Sequence, residues 1–150
     1  MEVFRTQVGW AVDAGLPVVI HDREAHDDVM KVVAELRPRG VLHCFSGNDS
    51  QVTAASRLGM YISLAGNVTY KNAGNLAVAA QSIPLPLLLT ETDSPYLSPQ
   101  SCRGKRNEPA NIALTAEWIA DLRGMKLEDV GRQTSRNARS LLSWGAEPEA

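Results

Sequence analysis

Val41-Leu42-His43-Cys44-Phe45-Ser46-Gly47-Asn48 is an apolar run that passes directly into turn-forming residues. A strand with one face in water alternates apolar and polar residues, whereas a strand covered on both faces does not. The run therefore predicts a buried strand over Val41–Phe45, followed by a turn. A helix from about Ser50 to Leu58 comes next, which makes this stretch one strand-then-helix unit.

The same unit repeats on both sides of this stretch. Further strands are predicted at Val18–His21, Tyr61–Leu64 and Leu87–Glu91, and their starts lie about 20 to 26 residues apart, as in successive βα units. Strands of this kind separated by amphipathic helices indicate an α/β fold with a parallel sheet. The predicted helices cover Phe4–Ala14, Ala25–Leu36, Ala73–Ser82, Ile112–Leu122, Leu127–Thr134 and Arg136–Ser143.

Composition and charge limit the classes of protein that fit. The chain has 150 residues and 44% hydrophobic residues, which suits a single globular domain over residues 1–150. Its net charge of −2 gives no general attraction to polyanions, so contact with nucleic acid requires a local basic patch. The longest apolar stretch, Ile83–Leu89, is too short to span a bilayer and contains prolines. We expect a cytoplasmic protein with no membrane segment.

Three polar residues fall at the ends of predicted strands. His21 ends one strand, His43 lies in the C-terminal half of the next, and Asp93 follows the fourth. In parallel α/β folds, ligands and catalytic groups gather at the C-terminal edge of the sheet. Each residue alone suits a structural role, whereas the three together suit a site for a divalent metal such as Zn, Mn or Fe.

Glu91 and His26 receive different interpretations. Glu91 lies two residues before Asp93 and points to the same side of the strand, one layer deeper. Because a buried carboxylate needs a partner, we expect Glu91 to pair with a neighbouring group behind the metal ligands. His26 falls on a predicted helix, away from any strand end, and is expected at the solvated surface.

Basic residues follow two of the strands. Arg23 is placed to meet a phosphate, or else to pair with Glu24 or Asp27. The run Arg103-Gly104-Lys105-Arg106-Asn107 puts three cations around a glycine in the long loop after the fourth strand. Such a loop suits phosphate binding, and a solvated basic loop is the alternative.

Three ordered motifs resemble those of the TatD-type deoxyribonucleases. Val18–Arg23 is similar to the H-x-R strand end of that family, and His43–Gly47 matches its HCFSG motif. Glu91–Leu97 followed by Arg103–Pro109 matches its ETDSPYL and RGKRNEP stretches. The resemblance covers nearly the whole chain and implies part of a TIM barrel of the metal-dependent hydrolase superfamily.

The resemblance also implies an activity, which is hydrolysis of DNA phosphodiester bonds by metal-activated water. One or two divalent cations (Mg, Mn or Zn) would be held by His21 and His43. Asp93 would serve both as a ligand and as the residue that orients or deprotonates the attacking water. Arg103 and Lys105 would contact the phosphate backbone of the DNA substrate.

The front of the family barrel has no counterpart in this sequence. The family begins with a strand carrying an H-x-H pair, and its third strand supplies a glutamate. Since a full barrel takes about 250 residues, we expect an N-terminally truncated or mis-started product of a complete enzyme. An upstream reading frame that carries the H-x-H pair, continuous with Met1, would support this expectation, and its absence would refute it.

Two alternatives to a nuclease remain open at this point. The same metal site would serve an ester or amide hydrolase, such as an aminoacyl-tRNA deacylase. A chain with only part of the ligand set would also suit a non-catalytic fragment. Such a fragment would self-associate through its open sheet edges, and the sequence indicates no obligate protein partner.

Overall fold

A parallel sheet organises residues 1–143, the part of the chain that the computed structural model describes. Its strands follow one another in sequence order as β1 (Val18–His21), β2 (Gly40–His43), β3 (Tyr61–Leu64) and β4 (Leu88–Thr90). All three pairings are parallel, and His21 lies beside His43 in the register. The four predicted parallel strands are confirmed. The single domain predicted over residues 1–150 includes residues 144–150, which lie outside the described residues.

Helices connect the strands and cover the sheet. Their bounds are α1 (Glu2–Asp13), α2 (His26–Leu36), α3 (Asp49–Arg57), α4 (Asn75–Ser82), α5 (Ile112–Arg123) and α6 (Leu127–Leu142). Short 3-10 turns occupy Gly66–Thr69, Leu85–Leu87, Gln100–Cys102 and Pro109–Asn111. Within residues 1–143, the structure contains no helix with the length and apolar character needed to cross a bilayer.

The core lies between the sheet and the helices on its outer side. Each strand contributes a fully or almost fully buried residue to it, and the set is Ile20, Leu42, Ile62 and Leu88. Burying a side chain of this size stabilises the fold by about 1.5 to 3 kcal/mol. On the other face of the sheet, Leu141 of α6 packs with Val41 and Leu89. Cover on both faces explains why the central strands lack alternation.

Strand β1 is the exception, because Val19 keeps 65% of its surface exposed. It lies at the edge of the sheet, with β2 as its partner among the described strands. The expectation of burial on both faces therefore holds for β2 and fails for β1.

The two short C-terminal helices predicted from the sequence are one continuous helix, α6. The polar run through Thr134 and Asn137 contains no glycine or proline to end it. The Thr134 hydroxyl donates to the carbonyl of Val130 at 3.0 Å, so that polar group is satisfied inside the helix. Asn137 is buried and donates from Nδ2 to the carbonyls of Leu85 and Leu88, at 2.9 and 2.7 Å. These two hydrogen bonds hold helix α6 against the beginning of β4.

Replacing Asn137 should destabilise the protein. Asn137→Ala removes the Nδ2 amide that donates both hydrogen bonds and leaves the two buried carbonyls without a donor. This should lower the free energy of unfolding by about 2 kcal/mol. Urea denaturation followed by circular dichroism measures the change. Ser140→Ala, at an exposed position of the same helix, serves as the control and should change the free energy by less than about 0.5 kcal/mol. If the two variants were equally stable, the hydrogen bonds of Asn137 would not stabilise the packing of α6 against β4.

Candidate metal centre

Three side chains that suit a metal ion converge at the C-terminal edge of the sheet. His43 ends β2, whereas Glu91 and Asp93 follow β4, and one ligand atom from each lies within 4.8 Å of the others. All three residues are half-buried. One imidazole and two carboxylates form a donor set that suits Zn or Mn, so the residues present fit a divalent cation.

Glu91 holds His43 in place. Its Oε2 lies 2.6 Å from His43 Nδ1, and its Oε1 accepts a hydrogen bond from the Cys44 backbone N–H at 2.6 Å. Because a carboxylate accepts hydrogen bonds, the Nδ1 atom carries the proton and Nε2 keeps its lone pair for a cation. With both Glu91 oxygens engaged, we assign the residue to orienting His43, and Asp93 to direct ligation.

His21 lies next to this cluster and outside its closest set. Its ring centroid is 5.4 Å from that of His43, with the planes tilted by 40°. The structure thus brings all three sequence-predicted metal residues to one edge of the sheet. It groups His43 and Asp93 with Glu91, and it leaves His21 beside them on the exposed edge strand.

Asp93 is positioned by a loop that depends on Asn107. This asparagine is 2% exposed and donates from Nδ2 to the carbonyls of Thr92 and Tyr96, at 2.8 and 2.7 Å. Its Oδ1 accepts from Asn111 Nδ2 at 2.9 Å. Asn107 therefore fixes the backbone on both sides of Asp93. The sequence did not predict this role for Asn107. Its one indication in the sequence is a neutral amide side chain at the end of a run of basic residues.

Cys44 adds a thiol beside the cluster. Burial, together with the negative charges of Glu91 and Asp93, raises the pKa of this thiol to about 12. The thiol is therefore neutral near pH 7, and its Sγ is not among the ligand atoms that lie within 4.8 Å of one another in the cluster.

The predicted substrate-binding cations are all exposed, and they differ in their surroundings. The Arg103 guanidinium lies 4.1 Å from the centre of the Tyr70 ring, with Nη1 3.5 Å from Asn72 Oδ1. Neither Lys105 nor Arg23 forms a salt bridge with any described residue. The pairing of Arg23 with Glu24 or Asp27 that the sequence allowed is therefore not formed.

The prediction that His26 is a solvated surface residue is wrong. Its side chain is 14% exposed, and its Nδ1 lies 2.6 Å from Oδ2 of Asp22, whose side chain is 10% exposed. The backbone of Glu24 adopts a positive φ of 56° between them. This turn folds the first residue of α2 back onto the loop after β1.

Comparisons with known proteins agree with this architecture. The model of the family described as TatD related DNase matches residues 1–143. Among curated relatives, the metal-dependent hydrolase YabD of Bacillus subtilis is 39% identical over 143 residues, covering 93% of this chain and 56% of its own length. YcfH of Escherichia coli, likewise named a metal-dependent hydrolase, is 42% identical over 128 residues, covering 83% and 48%. The chain spans about half the length of the curated relatives it matches.

A solved structure shows the same fold. The TatD homologue YJJV of Escherichia coli superposes with a TM-score of 0.86 at 28% identity, over 91% of this chain and 54% of that one. Together with the four parallel strands, this match confirms the predicted fold class, a β/α barrel of which the described residues form four strands.

Changing either carboxylate of the cluster should weaken metal binding. Glu91→Gln keeps the shape of the side chain and removes its charge, so the affinity for Mn²⁺ should fall by about 10- to 100-fold, as for other residues that orient a ligand. Asp93→Asn removes an anionic ligand and should reduce the affinity at least as much. Isothermal titration with Mn²⁺ alone measures both.

Asp13→Asn is the matched control for these variants, because Asp13 is exposed at the end of α1. Its Mn²⁺ affinity should equal that of the unaltered chain. Unchanged binding in Asp93→Asn would rule out the assigned centre.

Proposed function

Because the chain belongs to the TatD related DNase family, we propose that it takes part in metal-dependent hydrolysis of phosphodiester bonds, with DNA as the substrate. The cluster of His43, Glu91 and Asp93 is the observation that carries the proposal. It lies at the C-terminal edge of a parallel sheet, where catalytic groups of barrel enzymes gather. The names of the metal-dependent hydrolases YabD and YcfH agree with a hydrolytic role.

Each residue of the cluster has a distinct role in this proposal. His43 and Asp93 would hold the cation, and His21 would add a ligand from β1. When bound, the cation would supply a Lewis acid that makes phosphorus more electrophilic and water more acidic. The Asp93 carboxylate orients the attacking water toward phosphorus and accepts its proton; as the water oxygen bonds to phosphorus, the bond to the leaving sugar oxygen breaks, and that oxygen takes a proton from solvent. Glu91 orients His43 so that the Nε2 lone pair remains free for the cation.

The basic loop supplies affinity for the phosphate backbone. The chain as a whole has a net charge of −2, so its attraction to DNA has to be local. Lys105 and Arg103 lie on the loop after β4, and Arg23 follows β1. All three therefore extend from the same edge of the sheet as the metal cluster. Contacts to the backbone position DNA without reading its sequence.

A pair of assays on the purified 150-residue chain tests the proposal. With Mn²⁺ present, the chain should hydrolyse bis(4-nitrophenyl) phosphate and nick supercoiled DNA. Asp93→Asn should lower the rate about 100-fold or more, the range for losing a positioned general base. Release of 4-nitrophenolate and conversion of supercoiled to open circular DNA are the measurements.

A parallel assay separates this activity from the alternative substrates. Asp13→Asn should retain the full rate on both phosphodiesters, as the matched control. If the chain deacylates an aminoacyl-tRNA in a metal-dependent way and leaves both phosphodiesters intact, the phosphodiesterase assignment is wrong. Inactivity toward all three substrates, in a chain that binds Mn²⁺, would favour the non-catalytic fragment.

A further inference from the structure

Two loops at the C-terminal edge of the sheet, one after β3 and one after β4, are joined by hydrogen bonds. The backbone N–H of Gln100 donates to Thr69 Oγ1 at 2.7 Å, and Gln100 Oε1 accepts from the backbone N–H of Lys71 at 3.2 Å. Gly66 also lies against the loop after β4, where a Cβ atom would collide with the carbonyl oxygen of Leu97. The two loops therefore form one continuous surface.

The Arg103 side chain is held across the junction between these loops. It belongs to the loop after β4, and its guanidinium lies 4.1 Å from the centre of the Tyr70 ring in the loop after β3. The backbone of Tyr70 is fixed, since its N–H donates to the Asn67 carbonyl at 3.2 Å and its carbonyl accepts from the Ala73 N–H at 2.9 Å. The negative face of an aromatic ring attracts a cation, so the half-buried tyrosine restricts where the exposed guanidinium can lie.

The two loops carry cations and no carboxylate. Residues 66–72 and 99–106 contain no aspartate or glutamate, although acidic residues outnumber basic ones in the whole chain. The basic residues of these two stretches are Lys71, Arg103, Lys105 and Arg106. Glu117 and Asp121 of α5 line a separate cavity behind the loops, and none of the four cations lines it. The joined loops therefore attract an anion.

The stacked guanidinium suits a phosphate group. Within residues 1–143, the Arg103 side chain forms one hydrogen bond, from Nη1 to Asn72 Oδ1 at 3.5 Å, which leaves Nη2 and Nε for a ligand. The planar guanidinium can donate to two phosphate oxygens at once. A long side chain loses rotamer freedom when it binds. Because the Tyr70 ring restricts Arg103 before any ligand arrives, less of that freedom is lost on binding.

We propose that Tyr70 is a positioning residue for DNA binding: its ring holds the Arg103 guanidinium for the backbone phosphate next to the one that is cleaved, and Lys71 adds a second cation from the loop after β3. The inference rests on the proposed function and extends its DNA-binding surface to a second loop. The metal cluster takes the scissile phosphate, and neither Arg103 nor Tyr70 belongs to that cluster. Arg103 is therefore assigned to a flanking phosphate.

Binding of a short fluorescein-labelled DNA duplex, followed by anisotropy without added metal, tests the role of Tyr70 apart from hydrolysis. Tyr70→Leu should bind the duplex about 2- to 5-fold more weakly, the loss expected for one exposed contact between a cation and an aromatic ring. Tyr70→Phe keeps the aromatic face and should restore the affinity. In the Arg103→Gln background, Tyr70→Leu should have no further effect, because the ring acts through the guanidinium.

The salt dependence of binding identifies the cations. The slope of log affinity against log salt concentration should fall by about 1 in Arg103→Gln and in Lys71→Gln, since each variant loses one phosphate contact. Arg57→Gln is the matched control and should keep the slope, because Arg57 is exposed at the end of α3, on the opposite edge of the sheet. If Tyr70→Leu does not fold, Arg103→Lys takes its place. It keeps the charge without the planar guanidinium, and should bind about 2- to 5-fold more weakly.

A comparison of two substrates separates this inference from the proposed function, because bis(4-nitrophenyl) phosphate has no flanking phosphate. With Mn²⁺, the ratio of kcat/KM for the duplex to that for bis(4-nitrophenyl) phosphate should fall about 2- to 5-fold in Tyr70→Leu. If neither substrate is hydrolysed while the effect of Tyr70 on DNA binding persists, the function fails and the positioning role stands. An unchanged ratio with lower rates on both substrates would place Arg103 at the scissile phosphate and overturn the flanking assignment.

The binding data alone can also overturn the positioning role of Tyr70. It is wrong if the unaltered chain does not bind the duplex, or if Tyr70→Leu (or Arg103→Lys in its place) binds it as tightly as the unaltered chain does. It is also wrong if Tyr70→Leu weakens binding equally in the Arg103→Gln background, since the ring would then act without the guanidinium.

Discussion

The hydrogen bond between His43 and Glu91 is the contact on which the site depends. It joins the end of β2 to the residues after β4, although β3 lies between these strands in the sheet. Those strands lie nearly 10 Å apart in a sheet, a gap that a histidine and a glutamate side chain span together when both point to the same side, as the 2.6 Å contact shows. On β3, Ser63 follows Ile62, the register partner of Leu42, and its own register partner on β4 is Leu89, two residues before Glu91. The contact therefore runs diagonally across the sheet.

This constraint connects the fold to the chemistry. Because a strand is pleated, consecutive side chains point to opposite faces of the sheet. Leu42 therefore packs among the helices, whereas His43 faces the rim. Glu91 uses its second oxygen on the backbone N–H of Cys44, so one carboxylate fixes both the imidazole and the main chain that carries it. The orientation of His43 and the position of the adjacent main chain thus depend on the same carboxylate.

Much of this arrangement could be predicted from the sequence, because it follows from local pattern. Strands β1 and β3 have the bounds that the apolar runs indicated. His21, His43 and Asp93 were predicted at one edge of the sheet because each lies at or just after the C-terminal end of a strand. The rest depends on contacts between distant residues. The partners of Asn107 are backbone carbonyls of a loop whose path no periodicity describes. The burial of Asn137 on α6 depends on its bonds to residues about 50 positions away.

His26 shows the same limit at shorter range. A histidine at the first turn of a helix normally faces solvent, and the sequence gives no reason to expect otherwise. Its burial depends on the positive φ of Glu24, which brings Asp22 within reach. A glutamate at a positive φ is uncommon, so the turn is imposed by the surrounding packing.

Charge is distributed unevenly around the metal cluster. The cations of the basic loop follow β4, whereas the carboxylates of Asp22, Glu24 and Asp27 follow β1, and the cluster itself draws on residues that end β2 and follow β4. An anion near the cluster is therefore attracted from one side and repelled from the other. Cations on both sides would accept an anionic ligand in either orientation, so this asymmetry restricts how such a ligand can lie.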